Sequence, residues 1–354
     1  GNIAGVNGEG IGAGTVLDAT NVTLVNGASV SMTTAQHNGF SGTVTAGGTE
    51  QITLTTSGTV TGESVIETYV LSGSGNVFTV GDAAQNVNTG SGGTNTIDFT
   101  TLTATGTITS QTSDVIKLGD GADVKGIASG SAFTATNVTA TGSATMTLLQ
   151  NNGFSGTASI SGTNVFTIST IGTITALTGV DTYQLTAGAN AITLADAGQN
   201  VTADGTGDNG LITIDTGALT SVTGTMTSAG NDTMKLLLSH TTGVDISAVN
   251  MDAVNNVGLD TDAKGTMTIA QQNVINSAAG SSNKVTLTDA GAFNANVNVE
   301  EYVLAAAGGS TLTLTAAAQS VTTGANSADT INVAALTATG TFNTVAADII
   351  KISD

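Results

Sequence analysis

The chain has no proline, cysteine, tryptophan or arginine, and aromatic residues fill only 3% of its 354 positions. Lack of cysteine removes disulfides and thiolate metal sites, which excludes a disulfide-stapled scaffold. Sparse aromatics weigh against a carbohydrate-hydrolysing cleft, since such clefts are generally lined with them. Positive charge is scarce as well: Lys117, Lys125, Lys235, Lys264, Lys284 and Lys351 stand against 26 acids, for a net charge of −20. A field of that sign repels phosphate backbones and bare anionic membranes and favours divalent cations, so nucleic acid is not an expected partner. No apolar run approaches the roughly 18 residues that span a bilayer, so membrane insertion is not expected either. Gly1 to Gly14 lacks the basic and apolar regions of a secretory signal, which points to processing, to a longer parent chain or to export by another route. No GxSxG, HExxH, Walker-type loop or dinucleotide fingerprint stands in a suitable context.

What is present is repetition. The stretch GVDTYQLTAGANAITLADAGQNVTADG at 179–205 has an earlier copy, IETYVLSGSGNVFTVGDAAQNVNTG, and a later one, VEEYVLAAAGGSTLTLTAAAQSVTTG. Tyr69, Tyr183 and Tyr302 are one position read three times, 114 and 119 residues apart. A second shared element reads MTTAQHNGF, MTLLQNNGF and MTIAQQNVI, beginning at Met32, Met146 and Met267. A third closes each unit and aligns Asp114, Asp232 and Asp348, each three residues before Lys117, Lys235 or Lys351. It also pairs TIDF at 96–99 with TIDT at 213–216. The expected units are 1–118, 119–235 and 236–354.

Within each unit, apolar residues alternate over runs of four to six positions rich in Val, Ile, Thr and Leu, which is the pattern of short β-strands. Val77, Ile97 and Val115 lie 20 and 18 apart, and Leu312, Ile331 and Ile350 lie 19 and 19 apart, with one strand such as 200–202 between successive centres. Two strands in about 19 residues suit the coil of a parallel β-solenoid, with about eighteen coils in the chain. The expected fold is therefore an all-β tandem array, preferably a parallel β-solenoid, with a row of antiparallel β-sandwich modules as the alternative. Helix is expected to be minor, a turn or two at MTIAQQNVINSAAG.

Several glycine-rich turns hold acids in a way similar to the calcium-binding nonapeptide GGxGxDxUx. LGDGADVKG at 118–126 and SAGNDTMKL at 228–236 come nearest, followed by TADGTGDNG at 202–210 and TGANSADTI at 323–331. The candidate calcium ligands are accordingly Asp120, Asp123, Asp232, Asp208 and Asp329, with Asp120 and Asp123 foremost, because glycine permits a tight turn while carboxylate and carbonyl oxygens suit a hard cation. The other reading is that Asp and Asn stand there because they are good turn residues. The recurrent Asp–Lys pair reads as a turn aspartate and a lysine on a strand's outer face. Asn38, Asn152 and Asn273 read as internal amide ladders or caps, and the three tyrosines as half-buried with the hydroxyl at the surface. His37 corresponds to Asn151 and Gln272 and reads as an exposed variant. The divergent stretch 237–264, with Asp245, Asp252, Asp260 and Asp262, is where an acid pair for a carbohydrate-active β-helix would lie.

The phrases AQHNGFSGTVTAGGTEQITL, VDTYQLTAGANAITLADAGQNVTADG and ALTATGTF…AADIIKI resemble those of bacterial β-strand-repeat surface proteins, which include surface-layer proteins and repeats-in-toxin adhesins exported by type I secretion. The resemblance covers all three units. It implies an extracellular location, calcium-dependent folding or assembly, and export directed by a C-terminal signal; the absence of such a signal at Asp354 favours a fragment or processed segment. The function expected is that of a non-enzymatic structural protein of the bacterial surface, self-assembling into a layer or filament with calcium, and with cell-surface polysaccharide as a further partner. Alternatives are the stalk of a large adhesin and the carbohydrate-active enzyme.

Overall fold

Alternating apolar and polar residues bury one face of each strand, and here the strands stack coil upon coil. The computed structural model describes residues 21–127, 132–186, 188–203, 210–228, 233–251, 254–305, 309–325, 328–334 and 336–352. Every described strand pairing is parallel. Each strand pairs with the strand two places along the chain rather than with its sequence neighbour. The antiparallel sandwich, in which sequence neighbours pair through hairpins, is thereby overturned. The fold is a parallel β-solenoid of about 16 turns.

By contacts the chain divides into two units, Gly1–Thr170 with Leu177–Asp181, and Ile171–Ala176 with Thr182–Asp354. In the first, one sheet takes Ser29–Met32, Gln51–Leu54, Thr68–Leu71, Asn86–Asn88 and Ile108–Thr109. The strands on the other face are Thr59–Thr61, Val77–Thr79, Thr96–Phe99, Val115–Leu118, Asn137–Ala140 and Ala158–Ile160. The second unit repeats the scheme, with Thr173–Thr175, Ala191–Thr193, Leu211–Asp215, Thr233–Leu238, Val254–Leu259 and Ile275–Ala278 on one face. Lys264–Met267, Lys284–Leu287, Glu301–Val303, Ser320–Thr322 and Phe342–Asn343 lie in another of its sheets.

In-register stacking gives the core its ladders. Phe78, Ile97, Ile116 and Val138 are successive partners on one face, and Ile52, Tyr69 and Val87 on the other, all buried. Outward positions carry mostly Ser, Thr, Asn and Gln. In the second unit Thr213 pairs with Lys235 and Ile212 with Met234, so Leu211-Ile212-Thr213 occupies the place of Thr96-Ile97-Asp98. The matching letters TIDT sit two residues later. A slip of two preserves which side chains face inward, so the sequence match and the spatial match differ without harm to the core.

Among the described residues three short helices interrupt the strands: α1 at Thr34–His37, α2 at Leu148–Gly153 and α3 at Ile269–Gln272. Each opens with a capping box. Thr33, Thr147 and Thr268 accept from the backbone N–H of Gln36, Gln150 and Gln271, whose side-chain oxygens accept the threonine N–H at 2.8, 2.9 and 2.8 Å. That reciprocal pair explains why the T-x-x-Q spacing recurs. A helix offers no strand ladder to the adjoining coil, only the free N–H groups of its first turn, which here donate to the side chains of Thr56, Thr170 and Asp289. Accordingly the strand after each helix, Val44–Thr45, Ala158–Ile160 or Ile275–Ala278, is the last of its sheet.

Corners repeat as strictly as strands. Gln85, Gln199 and Gln319 are buried, and their side-chain oxygens accept backbone N–H groups of Gly81, of Ala195 and Asp196, and of Thr315 and Ala316. Gln85 and Gln319 also donate inward to carbonyls of Glu63 and Ile66, and of Asn296 and Val299. Against the backbone of each glutamine lies a glycine of the next coil: Gly106, Gly224 and Gly340. A Cβ on any of the three would collide with that glutamine's carbonyl oxygen, and backbone cannot move aside as a side-chain tip can. We therefore expect Gly224→Ala to lower the urea midpoint by an amount equivalent to about 2 kcal/mol or more. Gly198→Ala, where a Cβ meets nothing within 4 Å, should leave the midpoint nearly unchanged. Equal effects of the two substitutions would contradict the corner argument.

Candidate functional site

Of the recurrent acids Asp114 lies inside, Asp348 is half-buried, and Asp232 lies outside the described residues. Asp114 is fully buried and accepts from the Thr89 hydroxyl at 2.6 Å and from the backbone N–H groups of Asn95 and Gln111 at 2.7 Å each. Asp348 repeats the set with the Thr323 hydroxyl at 2.6 Å and the N–H groups of Asp329 and Val345 at 2.9 and 2.7 Å. Lys117 points outward from its strand and pairs not with Asp114 but with Asp98 of the preceding coil, at 2.7 Å. In register, Lys235 stands beside Thr213 and Lys351 beside Asn332, so the ion pair is not part of the repeat.

These aspartates belong to polar spines that run from coil to coil. The N–H of Asn76 donates to the side chain of Asn95, whose own N–H donates to Asp114. The N–H of Ser310 donates to Asp329, and that of Asp329 to Asp348. Glu50 donates its N–H to Glu67, Asn164 to Asp181, and Asn283 to Glu300, in the same manner. In most of these links the donor N–H stands just before a strand or two residues ahead of one, and the side chain of the next coil receives it. Asn38, Asn152 and Asn273, expected as internal amide ladders or caps, are exposed and form no internal ladder, but Asn38 and Asn273 are the C-cap residues of their helices, and the Asn38 amide donates to the Thr59 carbonyl at 3.0 Å. The internal amides are instead the corner and capping glutamines and the spine asparagines Asn76, Asn95, Asn164 and Asn283.

The tyrosines are fully buried, hydroxyl included, which corrects the half-buried expectation. Tyr69 accepts the N–H of Glu63 at 2.8 Å, and Tyr302 accepts that of Asn296 at 2.7 Å. His37 is buried rather than exposed, with its Nε2 2.9 Å from the Tyr69 hydroxyl; Gln272 holds the same place against Tyr302, its Nε2 donating at 3.3 Å. The variable position is thus a partner for the tyrosine hydroxyl. Burial pushes the Tyr302 phenol up to about 12 and the His37 imidazole down to about 4.

The candidate calcium ligands do not converge. Asp120 is exposed and accepts the N–H of Ser143 at 3.0 Å, while Asp123 holds Lys125 at 2.8 Å. Asp329 is buried in its spine, with its carboxylate accepting from Ser310 and Gly324. Asp208 and Asp232 lie outside the described residues. Among the described residues no three His, Asp or Glu groups come together to hold an ion. Lysine in the Asp123 carboxylate and backbone donors on the others do not fit a resident calcium. In the divergent stretch Asp245, Asp260 and Asp262 each accept a nearby N–H, and Asp252 is outside the described residues. Depressions of about 430, 280 and 270 Å³ are lined by amides, hydroxyls, lysines and apolar groups, without a carboxylate.

Two predictions follow from these environments. Asp114→Ala removes the acceptor of the buried Asn95 N–H and the half-buried Gln111 N–H and leaves the Thr89 hydroxyl only its long contact to the Thr109 carbonyl, so it should cost about 2 to 3 kcal/mol, measured as a fall in the denaturant midpoint. A loss under about 0.5 kcal/mol would show that the spine is not structural. The second concerns acid. Neutral in the fold and protonated when unfolded, His37 contributes stability in full above pH 6.5 that is lost as pH falls to about 4, roughly 3 kcal/mol in all. Burial acts to raise Glu50 and Asp348, but the hydrogen bonds they accept outweigh it and hold both below the ordinary carboxylate range, so their contribution is lost at still lower pH. His37→Gln, the residue the third repeat uses, should flatten the stability profile between pH 6.5 and 4 while leaving the steeper loss below it. Superimposable profiles would exclude His37 as the sensor.

No family model matches this chain, and neither a curated protein nor a solved structure is found to be similar to it.

Proposed function

We propose that this chain is a non-catalytic structural protein of an extracellular bacterial surface, and that it assembles with itself into a layer or filament. The observation that carries the reading is the use to which its recurrent polar residues are put. Asp114, Asp348 and the corner glutamines are consumed in joining coil to coil, and the outward faces are left with hydroxyls and amides. Such a molecule has many alike coils and little chemistry, which suits a building element. An edge strand of a parallel sheet carries unpaired backbone groups that another copy can satisfy. The net charge of −20 opposes close approach of copies until cations screen it. Calcium enters this reading as a counterion between acidic surfaces, since the described aspartates build no cage for it.

Electron microscopy of the purified chain, with millimolar calcium and again after chelation, tests the proposal. Ordered sheets or filaments are expected with calcium. If they persist after chelation in moderate sodium chloride, general screening suffices; if they disperse there, calcium bridges specifically. Dispersed particles under every condition would overturn the self-assembling reading and favour the stalk of a larger adhesin.

A further inference from the structure

After α3 the wall of strands is broken. Strand Ile275–Ala278 ends one sheet, and Ala292–Asn294 on the next coil begins another, pairing among the described strands only with Thr311–Thr313. Residues 269–296 are all described, so the break is made by the fold in the middle of the repeat. The depression of about 430 Å³ lies at this break, lined by Gln272 and Asn273 at the end of α3 and by residues 292–296.

Hydrogen bonding at the depression is incomplete. Gln272 is buried, its Nε2 reaches the Asn294 carbonyl and the Tyr302 hydroxyl at 3.3 Å each, and its Oε1 accepts from no described residue. Buried polar atoms are rarely left so. The side-chain amides of Asn273 and Asn294 are exposed and also have no partner among the described residues. The first repeat closes the same place. Aligned on Tyr69 and Tyr302, Thr59 corresponds to Ala292, and each opens the first strand of its sheet. There the amide of Asn38, the counterpart of Asn273, donates to the Thr59 carbonyl at 3.0 Å, and the Phe40 ring packs 5.3 Å from His37. In the third repeat the Asn273 amide makes no such bond to Ala292, and Ile275 stands where the phenyl ring was.

We propose that this depression is a binding site for a neutral saccharide. Its lining carries no charged side chain, so it offers neither a counterion to an anion nor a carboxylate to a metal, and the net charge of −20 repels anions further. It does offer what a polyhydroxylated ring uses: an acceptor in Gln272 Oε1, donors and acceptors in the amides of Asn273 and Asn294, and apolar surface in Ala292, Phe293 and Ala295 for the C–H face of the ring. A sugar hydroxyl donates to Oε1 once the Gln272 amide, held by two long bonds, turns slightly toward the depression. A peptide added as a further strand fits less well, because the free edge is three residues long and Gln272 already reaches its Asn294 carbonyl. The site is independent of the self-assembling reading.

Saturation-transfer NMR on the full chain, with millimolar glucose, galactose, mannose, N-acetylglucosamine or dextran as probe, tests the site. The expected result is transfer to at least one of them; transfer to a free sugar assigns single rings, and transfer to dextran alone assigns rings within a polymer. Ala292→Trp, at an exposed position, should fill the depression and abolish transfer with the urea midpoint unchanged. Gln272→His keeps a partner for the tyrosine hydroxyl, as His37 does, and should weaken binding about tenfold through loss of the amide oxygen. Transfer that is the same in wild type and both variants would place the sugar elsewhere and overturn the site. Silence from every probe would overturn it as well, and a response to tetrathreonine with none from the sugars would replace the saccharide by a peptide strand. Sheets or filaments seen by electron microscopy are expected to be the same for wild type and Gln272→His, so failure here and failure of self-assembly are read separately.

Discussion

Parallel stacking leaves a polar residue of work at every corner, and meeting that demand organises this molecule. Strand ladders satisfy the backbone only along their own short length, and many described strands are two to four residues long. Between them the chain turns, and each turn holds N–H and C=O groups that are buried by the next coil and cut off from water. A buried group left unpaired costs about 1 to 3 kcal/mol, so with about 16 turns the fold would not survive general neglect of its corners. The solution is a side chain in one coil reaching the backbone of another: Asn95 and Asp114 for the spines, Gln85 and Gln319 for the corners.

That constraint explains which residues recur and why they need not be reactive. An aspartate repeated at the same place in several units invites a catalytic reading, yet Asp114 and Asp348 each have a carboxylate surrounded by a threonine hydroxyl and two backbone donors. Three of the roughly four lone-pair sites of each carboxylate are thereby engaged within the fold. Glycine recurs for the complementary reason, since the corner glutamine can approach its neighbour only where no Cβ stands between them, as at Gly106, Gly224 and Gly340. Tyrosine recurs because its ring fills a large part of one rung while its hydroxyl takes one more backbone N–H, that of Glu63 or Asn296.

Much of the fold was legible because stacking is periodic. The interval of about 19 residues placed Val77, Ile97 and Val115 on one sheet, and Leu312, Ile331 and Ile350 on another. Other features were not legible, for physical reasons. His37 follows a polar pattern shared with Asn151 and Gln272, and a polar position that alternates with other polar positions looks exposed; only the buried tyrosine hydroxyl it faces draws it inward. The recurrence of Asn38, Asn152 and Asn273 marked helix ends, where Asn38 and Asn273 serve as C-caps, while the buried amides beside them are Gln36, Gln150 and Gln271, which close the N-terminal capping boxes. Glycine-rich acidic turns resembled calcium loops because turn geometry and ion coordination call for the same residues. At Asp123 the carboxylate is paired with Lys125.

Charge then acts on a different scale from these contacts. The spines are short-range and dry, so their hydrogen bonds are little affected by salt, whereas 26 acids against six lysines create a field that any second copy must enter. Within one chain the repulsion is overcome by covalent continuity and by burial of each apolar rung. Between chains neither help is present at the start, and the gain must come from the newly covered rung alone. An assembly governed by that balance is weak in dilute, low-salt solution and strengthens as ionic strength rises, because screening lowers the opposing term and leaves the apolar one untouched. Under the self-assembling reading, contact between copies is therefore sensitive to salt where contact between coils of one chain is not.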